Sequence, residues 1–306
     1  MCCLFGAYNY SGQTVRNYSL ITNSLAEQAT VRGTDATGIA FCKHNRLVIH
    51  KEPKSAFEIS FKHPDDTVAV MGHTRHATQG NKKDNFNNHP FSGSCKNVRF
   101  ALAHNGVLSN EKVLQREFKL PKTKIETDSY IAVQMLKYKK QLNAESIKFM
   151  AEKVEGSFAF TVLDTDNTLW LIRGDSPLSL IHFPKRKMYV YASTNEILYK
   201  ALVDTDLFED VKRGDFEEIK IKSGDILTIL PDGTVVYDKF NYTEFSYLGR
   251  YSWWNYNYIN ADIDEMYIED IKSIAKYYGY APETIDELVE GGFTPEEIEE
   301  FIYCME

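Results

Sequence analysis

The chain has 306 residues, an apolar fraction of 43% and a formal net charge of −8, so it can form one large domain or two smaller ones. The acidic balance argues against a general nucleic-acid partner. No stretch approaches the roughly 18 apolar residues of a membrane span, and the N-terminus lacks a basic-then-apolar signal pattern. We therefore expect a cytoplasmic protein with neither a nucleic-acid nor a membrane partner.

The cysteine pattern indicates a reduced protein rather than a disulfide framework. The five cysteines are odd in number and include no CxxC pair, which argues against zinc as well as against regular disulfide spacing. The histidines show no HxxxH or HxH spacing with supporting carboxylates. We therefore expect no metal and no cofactor. The cysteines are Cys2, Cys3, Cys42, Cys95 and Cys304.

The first 120 residues alternate strand-like and helix-like segments. Residues 19–33 have apolar residues at helical spacing and end in Gly33, a helix-stop signal. Residues 98–108 read as a strand that ends in an Asn-Gly turn. Further strands are predicted over residues 3–10, 36–43, 46–52 and 67–77.

The middle of the chain continues the alternation. Helices are predicted over residues 127–141 and 144–156, and a hairpin over residues 224–238 around Pro-Asp-Gly. Strands are predicted over residues 157–164, 168–174 and 187–194. Strands clustered in sequential pairs beside a few long helices predict an α+β fold with antiparallel sheets covered by helices.

The character of the sequence changes near residue 240, so we expect one domain over residues 2–240 and an appendage over 241–306. An aromatic connector at 247–258, which includes Trp253 and Trp254, is expected to pack against protein. Two helical stripes follow, separated by Gly291-Gly292; the second helix begins at Thr294–Glu297. The stripes are Ile285, Leu288 and Val289, then Ile298, Phe301 and Ile302.

Four polar clusters lie at the ends of predicted strands or at the start of a helix. They span residues 32–38, 72–80, 102–110 and 126–130. Residues in such positions frequently form binding or catalytic sites.

The chemistry of these clusters suits an amino-acid amide. Arg75 offers a planar fork for a carboxylate, and Asp128 a negative charge for an ammonium group. Asn105 and Gly106 offer a side-chain amide and a backbone N–H, which are the parts of an oxyanion hole. Cys2 offers a nucleophile. Removal of Met1 would give it a free α-amine.

In these segments the sequence resembles the glutaminase domain of class II glutamine amidotransferases, a branch of the N-terminal nucleophile hydrolases. The order and approximate spacing of the motifs hold over about residues 2–235. The matching segments are Met1-Cys2, RGTDATG (32–38), GHTRHATQG (72–80), NHPF (88–91), HNG (104–106) and TDSY (127–130).

The resemblance implies a four-layer αββα sandwich and hydrolysis of the glutamine side-chain amide to glutamate and ammonia. It implies that Cys2 is the nucleophile, with its freed amine as base, and that Asn105 and Gly106 hold the oxyanion. Arg75 and Asp128 would clamp the carboxylate and ammonium of glutamine, and Thr78 and His89 would lie near the pocket. Two positions depart from the family pattern: Cys3 stands where glycine is usual, and His76 where a bulky aromatic often follows the arginine.

Three functions remain open at this point. The first is a glutamine amidotransferase-like glutaminase that supplies ammonia to a separate synthase, because the remaining residues lack an ATP-binding SGGxDS motif. The second is a hydrolase of another γ-glutamyl amide that uses the same cysteine. The third is a non-catalytic regulatory homologue whose tail recruits a partner. Docking of the tail within the protein or in a homo-oligomer is favoured over an outside partner.

Overall fold

A computed structural model describes residues 2–77, 79–96, 98–242, 268, 271–272, 275–276, 280–291 and 298. The chain divides into two compact units, Met1–Phe245 and Ser246–Glu306. Within the described residues, no helix combines the length and the apolar character needed to cross a bilayer.

The first unit contains a seven-stranded sheet, sheet A, in which neighbouring strands are antiparallel. The first strand of the chain lies in the middle of this sheet, with three strands on either side. Across sheet A the order is β11 (Glu217–Ile219), β9 (Ser179–Phe183), β10 (Met188–Ala192), β1 (Cys3–Asn9), β4 (Ala69–Arg75), β2 (Ala36–Lys43) and β3 (Arg46–Glu52).

A second antiparallel sheet, sheet B, has six strands and is formed by the middle and the end of the unit. Across sheet B the order is β13 (Val235–Lys239), β12 (Asp225–Ile229), β8 (Leu169–Arg173), β7 (Gly156–Asp164), β6 (Val98–Leu108) and β5 (Phe91–Cys95). Its strands follow chain order throughout, and β9, β10 and β11, which fall between β8 and β12 in the sequence, belong to sheet A.

Six α-helices accompany the sheets among the described residues of the first unit. They are α1 (Tyr18–Gln28), α2 (Glu111–Glu117), α3 (Tyr130–Lys139), α4 (Ala144–Lys153), α5 (Asn195–Leu202) and α6 (Phe208–Arg213). Short 3-10 helices span Ala29–Arg32, Ala56–Glu58, Asn85–Asn87 and Pro184–Arg186.

Three apolar clusters define the layers. One packs α1 and α5 on sheet A, around Phe5 and Leu25. Another packs α3 and α4 on sheet B, around Phe160 and Met135. The third joins the two sheets face to face, with Leu171 among its fully buried side chains. Helices, sheet A, sheet B and helices therefore form the αββα sandwich that the resemblance implied.

The second unit contains a small apolar cluster of its own, formed by Ile271, Ala275, Ile285 and Ile298. Its described helix, α7, spans Pro282–Glu290 and ends at Gly291. Of the first predicted stripe, Ile285 is buried and Leu288 is partly buried, whereas Val289 is exposed because it lies off the packed face. The aromatic connector, Thr294–Glu297, Phe301 and Ile302 lie outside the described residues.

The predicted Asn-Gly turn is wrong. Asn105 and Gly106 lie inside β6, which continues to Leu108 and pairs with β7 over its whole end. Gly106 has a φ of 133°. A side chain there would collide with the Ser157 carbonyl, so the glycine permits close strand pairing instead of a reversal.

Truncation of the inter-sheet core should lower stability strongly. Leu171 is fully buried between the sheets, so Leu171→Ala should reduce the free energy of unfolding by about 2–5 kcal/mol. Val236 is exposed on the edge strand β13, and Val236→Ala should change it by no more than about 0.5 kcal/mol. Chemical denaturation of both variants checks the layer assignment; equal losses would contradict it.

Candidate active site

The start of β1 determines where Cys2 lies. Cys3 pairs with Thr74 of β4. On the other side, the Leu4 N–H donates to Ser193 Oγ at 2.9 Å, and the Ser193 N–H donates to the Leu4 carbonyl at 2.9 Å. Cys2 therefore emerges from the middle of sheet A, between the ends of β4 and β10.

Cys2 has contacts on both its thiol and its carbonyl group. Its Sγ lies 3.5 Å from the His76 carbonyl oxygen, and its own carbonyl accepts a hydrogen bond from Arg32 Nε at 3.1 Å. Burial raises the pKa of the Cys2 thiol; the charge of Arg75 opposes this rise and that of Asp128 adds to it. The thiol is therefore protonated near neutral pH, and a nucleophilic role requires a proton acceptor.

Arg75 is the last residue of β4 and is only 2% exposed. Its Nη1 donates to Asn88 Oδ1 at 2.6 Å, and its Nη2 donates to the carbonyls of Gln79 and Gly80. Burial lowers the pKa of the guanidinium, and the charges of Cys2, Asp35 and Asp128 oppose that effect. A buried guanidinium held by neutral acceptors attracts a carboxylate strongly.

The loop after Arg75 is braced by residues that precede β2. A side chain at Gly33 would collide with the backbone of Arg75 and His76, so glycine allows the two segments to touch. The Asp35 carboxylate accepts from the Ala77 N–H at 2.9 Å and from Lys82 Nζ at 2.6 Å. Burial raises the pKa of Asp35, but these two partners outweigh it and the net pKa is lowered.

Asn105 and Gly106 face the start of β1 from sheet B. The Asn105 side chain is buried, and its Nδ2 lies 3.5 Å from Ser193 Oγ, the hydroxyl that also holds Leu4. Gly106 is half-buried. Ser193 therefore links the predicted oxyanion pair to the strand that carries Cys2.

Asp128 lies in the turn before α3. One carboxylate oxygen accepts from the Leu108 N–H at 2.6 Å, and the other from the N–H and the hydroxyl of Ser129. These bonds fix the carboxylate two residues beyond Gly106. Since a carboxylate has about four acceptor positions, it can still receive an ammonium group.

His89 is buried among aromatic rings near the same site. Its ring lies 4.1 Å from that of His73 and 4.3 Å from that of Phe91, centroid to centroid. Neither ring nitrogen has a hydrogen-bond partner among the residues that the structure describes. Burial lowers the pKa of His89 well below its usual range, and that of His73 to about 3, so both rings are uncharged near neutral pH.

The structure places Arg75 and Asp128 close enough to Cys2 for their charges to act on its thiol, and it links Asn105, the neighbour of Gly106 in β6, to the strand of Cys2 through Ser193. His89 is buried beside His73. Thr78 lies outside the described residues. Two residues that the sequence reasoning did not single out also belong here: Ser193 and Asn88. Asn88 stands in NHPF, one of the segments that resemble the family, and Ser193 stands near the end of the strand predicted over residues 187–194.

Comparisons with known proteins show what the chain resembles. A family profile described as a glutamine amidotransferase domain matches residues 73–200. Glutamine–fructose-6-phosphate aminotransferase (isomerizing) of Bacillus thuringiensis subsp. konkukian is 31% identical over 161 residues, which are 50% of this chain and 26% of that protein. The enzyme of the same name from Fusobacterium nucleatum is 26% identical over 248 residues, 78% of this chain and 37% of that protein. The chain thus spans well under half the length of these relatives.

A solved structure shares the fold. Glutamine phosphoribosylpyrophosphate amidotransferase from B. subtilis superposes with a TM-score of 0.63 at 20% identity, over 79% of this chain and 50% of that one. The αββα layers with a cysteine at the head of a central strand define an N-terminal nucleophile hydrolase fold. Within that fold class, residues 73–200 carry a glutamine amidotransferase domain of the class II, glutamine-hydrolysing type.

The brace at Asp35 should make stability depend on pH. Its lowered pKa means that the folded chain favours the carboxylate, so this contribution is present at neutral pH and is lost as pH falls below about 4. Asp35→Asn should cost less than about 1 kcal/mol at pH 7, and the difference from wild type should shrink as the pH is lowered from 7 to 3. Chemical denaturation across that range measures it.

A control for this measurement is Glu196→Gln. Glu196 pairs with Lys200 on α5, and both side chains are more than half exposed, so the change should have little effect at either pH. If Asp35→Asn lowers the free energy of unfolding by the same amount at pH 7 and at pH 3, the charge of the Asp35 carboxylate does not stabilise the loop.

Proposed function

We propose that this chain hydrolyses the side-chain amide of glutamine to glutamate and ammonia through a thioester on Cys2, and that the ammonia passes to an acceptor enzyme. The observation that carries the proposal is that two groups of opposite charge, Arg75 and Asp128, both act electrostatically on the buried Cys2 thiol. We further propose that residues 2–240 carry the whole of this chemistry.

Substrate binding follows from the two buried charges. The Arg75 guanidinium would take the α-carboxylate of glutamine, and the Asp128 carboxylate would take the α-ammonium group. Each charge is fixed by surrounding hydrogen bonds, so little ordering remains to be done when the substrate binds. His89 would lie near this pocket, as the resemblance implies.

The first chemical step is attack by Cys2 Sγ on the amide carbon. The thiol proton passes to the α-amine that Cys2 gains when Met1 is removed, whose pKa near 8 suits proton transfer around neutral pH. The amide oxygen becomes negative and is held by the Asn105 side-chain amide and the Gly106 N–H. Such donors contribute about 3 kcal/mol to the stability of the transition state.

The second step breaks the carbon–nitrogen bond. The amine returns its proton to the leaving nitrogen, ammonia departs, and the glutamyl group stays on sulfur as a thioester. Water then attacks the thioester carbon, passes one proton to the amine, and releases glutamate; the sulfur leaves and recovers the proton.

A different γ-glutamyl amide would present the same carboxylate and ammonium to Arg75 and Asp128. Ammonia release from glutamine therefore has to be compared with amine release from γ-glutamyl amides at equal concentration. Faster turnover of glutamine supports the proposal. Turnover of a γ-glutamyl conjugate alone would replace glutamine as the proposed substrate. Turnover of neither glutamine nor a conjugate would indicate a non-catalytic homologue.

Replacement of the nucleophile should abolish the reaction. Cys2→Ala should release no ammonia and should gain no mass with a glutamine-analogue electrophile, whereas Cys42→Ala should behave as wild type because Cys42 lies at the far end of β2, bonded to the Asp164 carbonyl.

Intact-mass measurement of active wild type should show that Met1 is absent. Full activity of chains that retain Met1 would overturn the α-amine as base.

Arg75→Lys should weaken glutamine binding. Lysine keeps the positive charge but lacks the planar fork, so the KM for glutamine should rise by roughly tenfold or more while the unfolding midpoint changes little. Steady-state ammonia release measures the change, with Arg46→Lys on the exposed end of β3 as control. An unchanged KM would mean that Arg75 stabilises the loop after β4 and does not bind the substrate.

A further inference from the structure

Lys51 is a half-buried lysine for which the proposed reaction has no assigned role. It lies on β3, the edge strand of sheet A, and its Nζ donates to the carbonyls of Asn88 and Pro90. The amine also lies 5.2 Å from the centroid of the Phe91 ring. Burial lowers its pKa to about 8, with the nearby charge of Arg75 acting in the same direction. Lysine is seldom buried without a compensating partner.

The segment that Lys51 holds is the one that holds Arg75. Asn88 accepts from Arg75 Nη1 through its side-chain oxygen at 2.6 Å, while its backbone carbonyl accepts from Lys51. The loop also donates a hydrogen bond back to β3: Asn85 Nδ2 donates to the Lys51 carbonyl at 2.6 Å. Gly38 on the neighbouring strand leaves room for the His89 carbonyl and the Lys51 side chain.

Asn88 is also fixed from the loop side. Its Nδ2 donates to the Lys82 carbonyl at 3.0 Å and to Asn85 Oδ1 at 3.2 Å. The orientation of the Asn88 amide is thereby determined, and its oxygen faces the guanidinium. Without the Lys51 amine, the Asn88 and Pro90 carbonyls would lose their donor, and the position of Asn88 would rest on the loop alone.

We propose that Lys51 is a positioning residue for glutamine binding: it fixes the Asn88–Pro90 backbone, and through Asn88 it fixes the direction of the Arg75 fork. This inference rests on the proposed function. The positive charges of Lys51 and Arg75 lie close together, which is unfavourable by itself. The hydrogen bonds that both side chains donate to Asn88 must therefore account for the arrangement. A bidentate contact to a carboxylate depends on the plane of the fork, and a small tilt would weaken it.

The test uses Lys51→Met, which keeps the side-chain length but removes the donors, and Lys51→Arg, which keeps donors and charge. We expect Lys51→Met to raise the KM for glutamine by roughly tenfold with kcat within about twofold, and Lys51→Arg to recover part of that loss. Lys54→Met is the matched control, since Lys54 is half exposed and pairs with Glu52; its KM should stay at the wild-type value.

Two further readouts separate positioning from general support of the fold. Cys2 alkylation by iodoacetamide, which carries no carboxylate, should proceed at the wild-type rate in Lys51→Met, whereas labelling by a glutamine-analogue electrophile should slow. In an Arg75→Lys background, Lys51→Met should add little to the KM, because both changes act on the same contact.

An unchanged KM in Lys51→Met overturns the inference, as does an equal slowing of both labelling reactions or a full additive effect in the double variant. A wild-type chain that turns over no glutamine but a γ-glutamyl amide would overturn the proposed substrate alone, and the same KM comparison would then be made with that amide. A wild-type chain inert to both would overturn the proposed function and this inference together.

Discussion

The position of the first strand is the constraint on which the rest of the structure depends. β1 is paired on both sides, with β10 and with β4, and all seven of its residues are buried. Its partners come from residues far along the chain, so the head of the strand is located only when most of sheet A has formed. The position of Cys2 is therefore set by strand pairing between residues far apart in the sequence and not by a local turn or helix.

The same constraint explains why the site lies where both sheets approach each other. Ser193 follows β10 and bonds Leu4 of β1, while the Asn105 amide reaches the same hydroxyl from sheet B. A single buried hydroxyl thus connects the strand of the nucleophile to the proposed oxyanion donor. Because buried polar groups lose more when a partner is missing than they gain when it is present, this connection limits the relative movement of the two sheets at the site.

Much of the fold was predictable because its signals are local. Helix periodicity, the strand pair at β2 and β3 and the late hairpin around Pro-Asp-Gly all depend on neighbouring residues. The order of strands in sheet A depends on distant segments, and no local pattern carries it. Short elements such as α5, α6 and β5 were missed, since one or two turns of helix or five strand residues give too few repeats of a period to be read.

For the site, residue type was more informative than local structure. Arg75, Asp128, Asn105 and Gly106 were identified by chemistry and by resemblance, and the structure places the charges of Arg75 and Asp128 close enough to act on the Cys2 thiol. The error at Asn105-Gly106 has a physical origin, because Asn-Gly favours turns in general, yet here the absence of a side chain on Gly106 permits close pairing with β7. Asn88 and Lys51 act through contacts made in three dimensions, which spacing in the sequence does not show.

The electrostatics of the site divide its polar groups into two sets. Burial lowers the pKa of His73, His89 and His104, so these rings stay neutral across the physiological range and serve as uncharged polar packing. Arg75 and Asp128 keep opposite charges, which match the carboxylate and the ammonium of an amino acid. Any change in reactivity near neutral pH then cannot originate in the three buried histidines. It has to come from other groups, among them those at the head of β1, where burial raises the pKa of the Cys2 thiol and makes a nearby proton acceptor necessary.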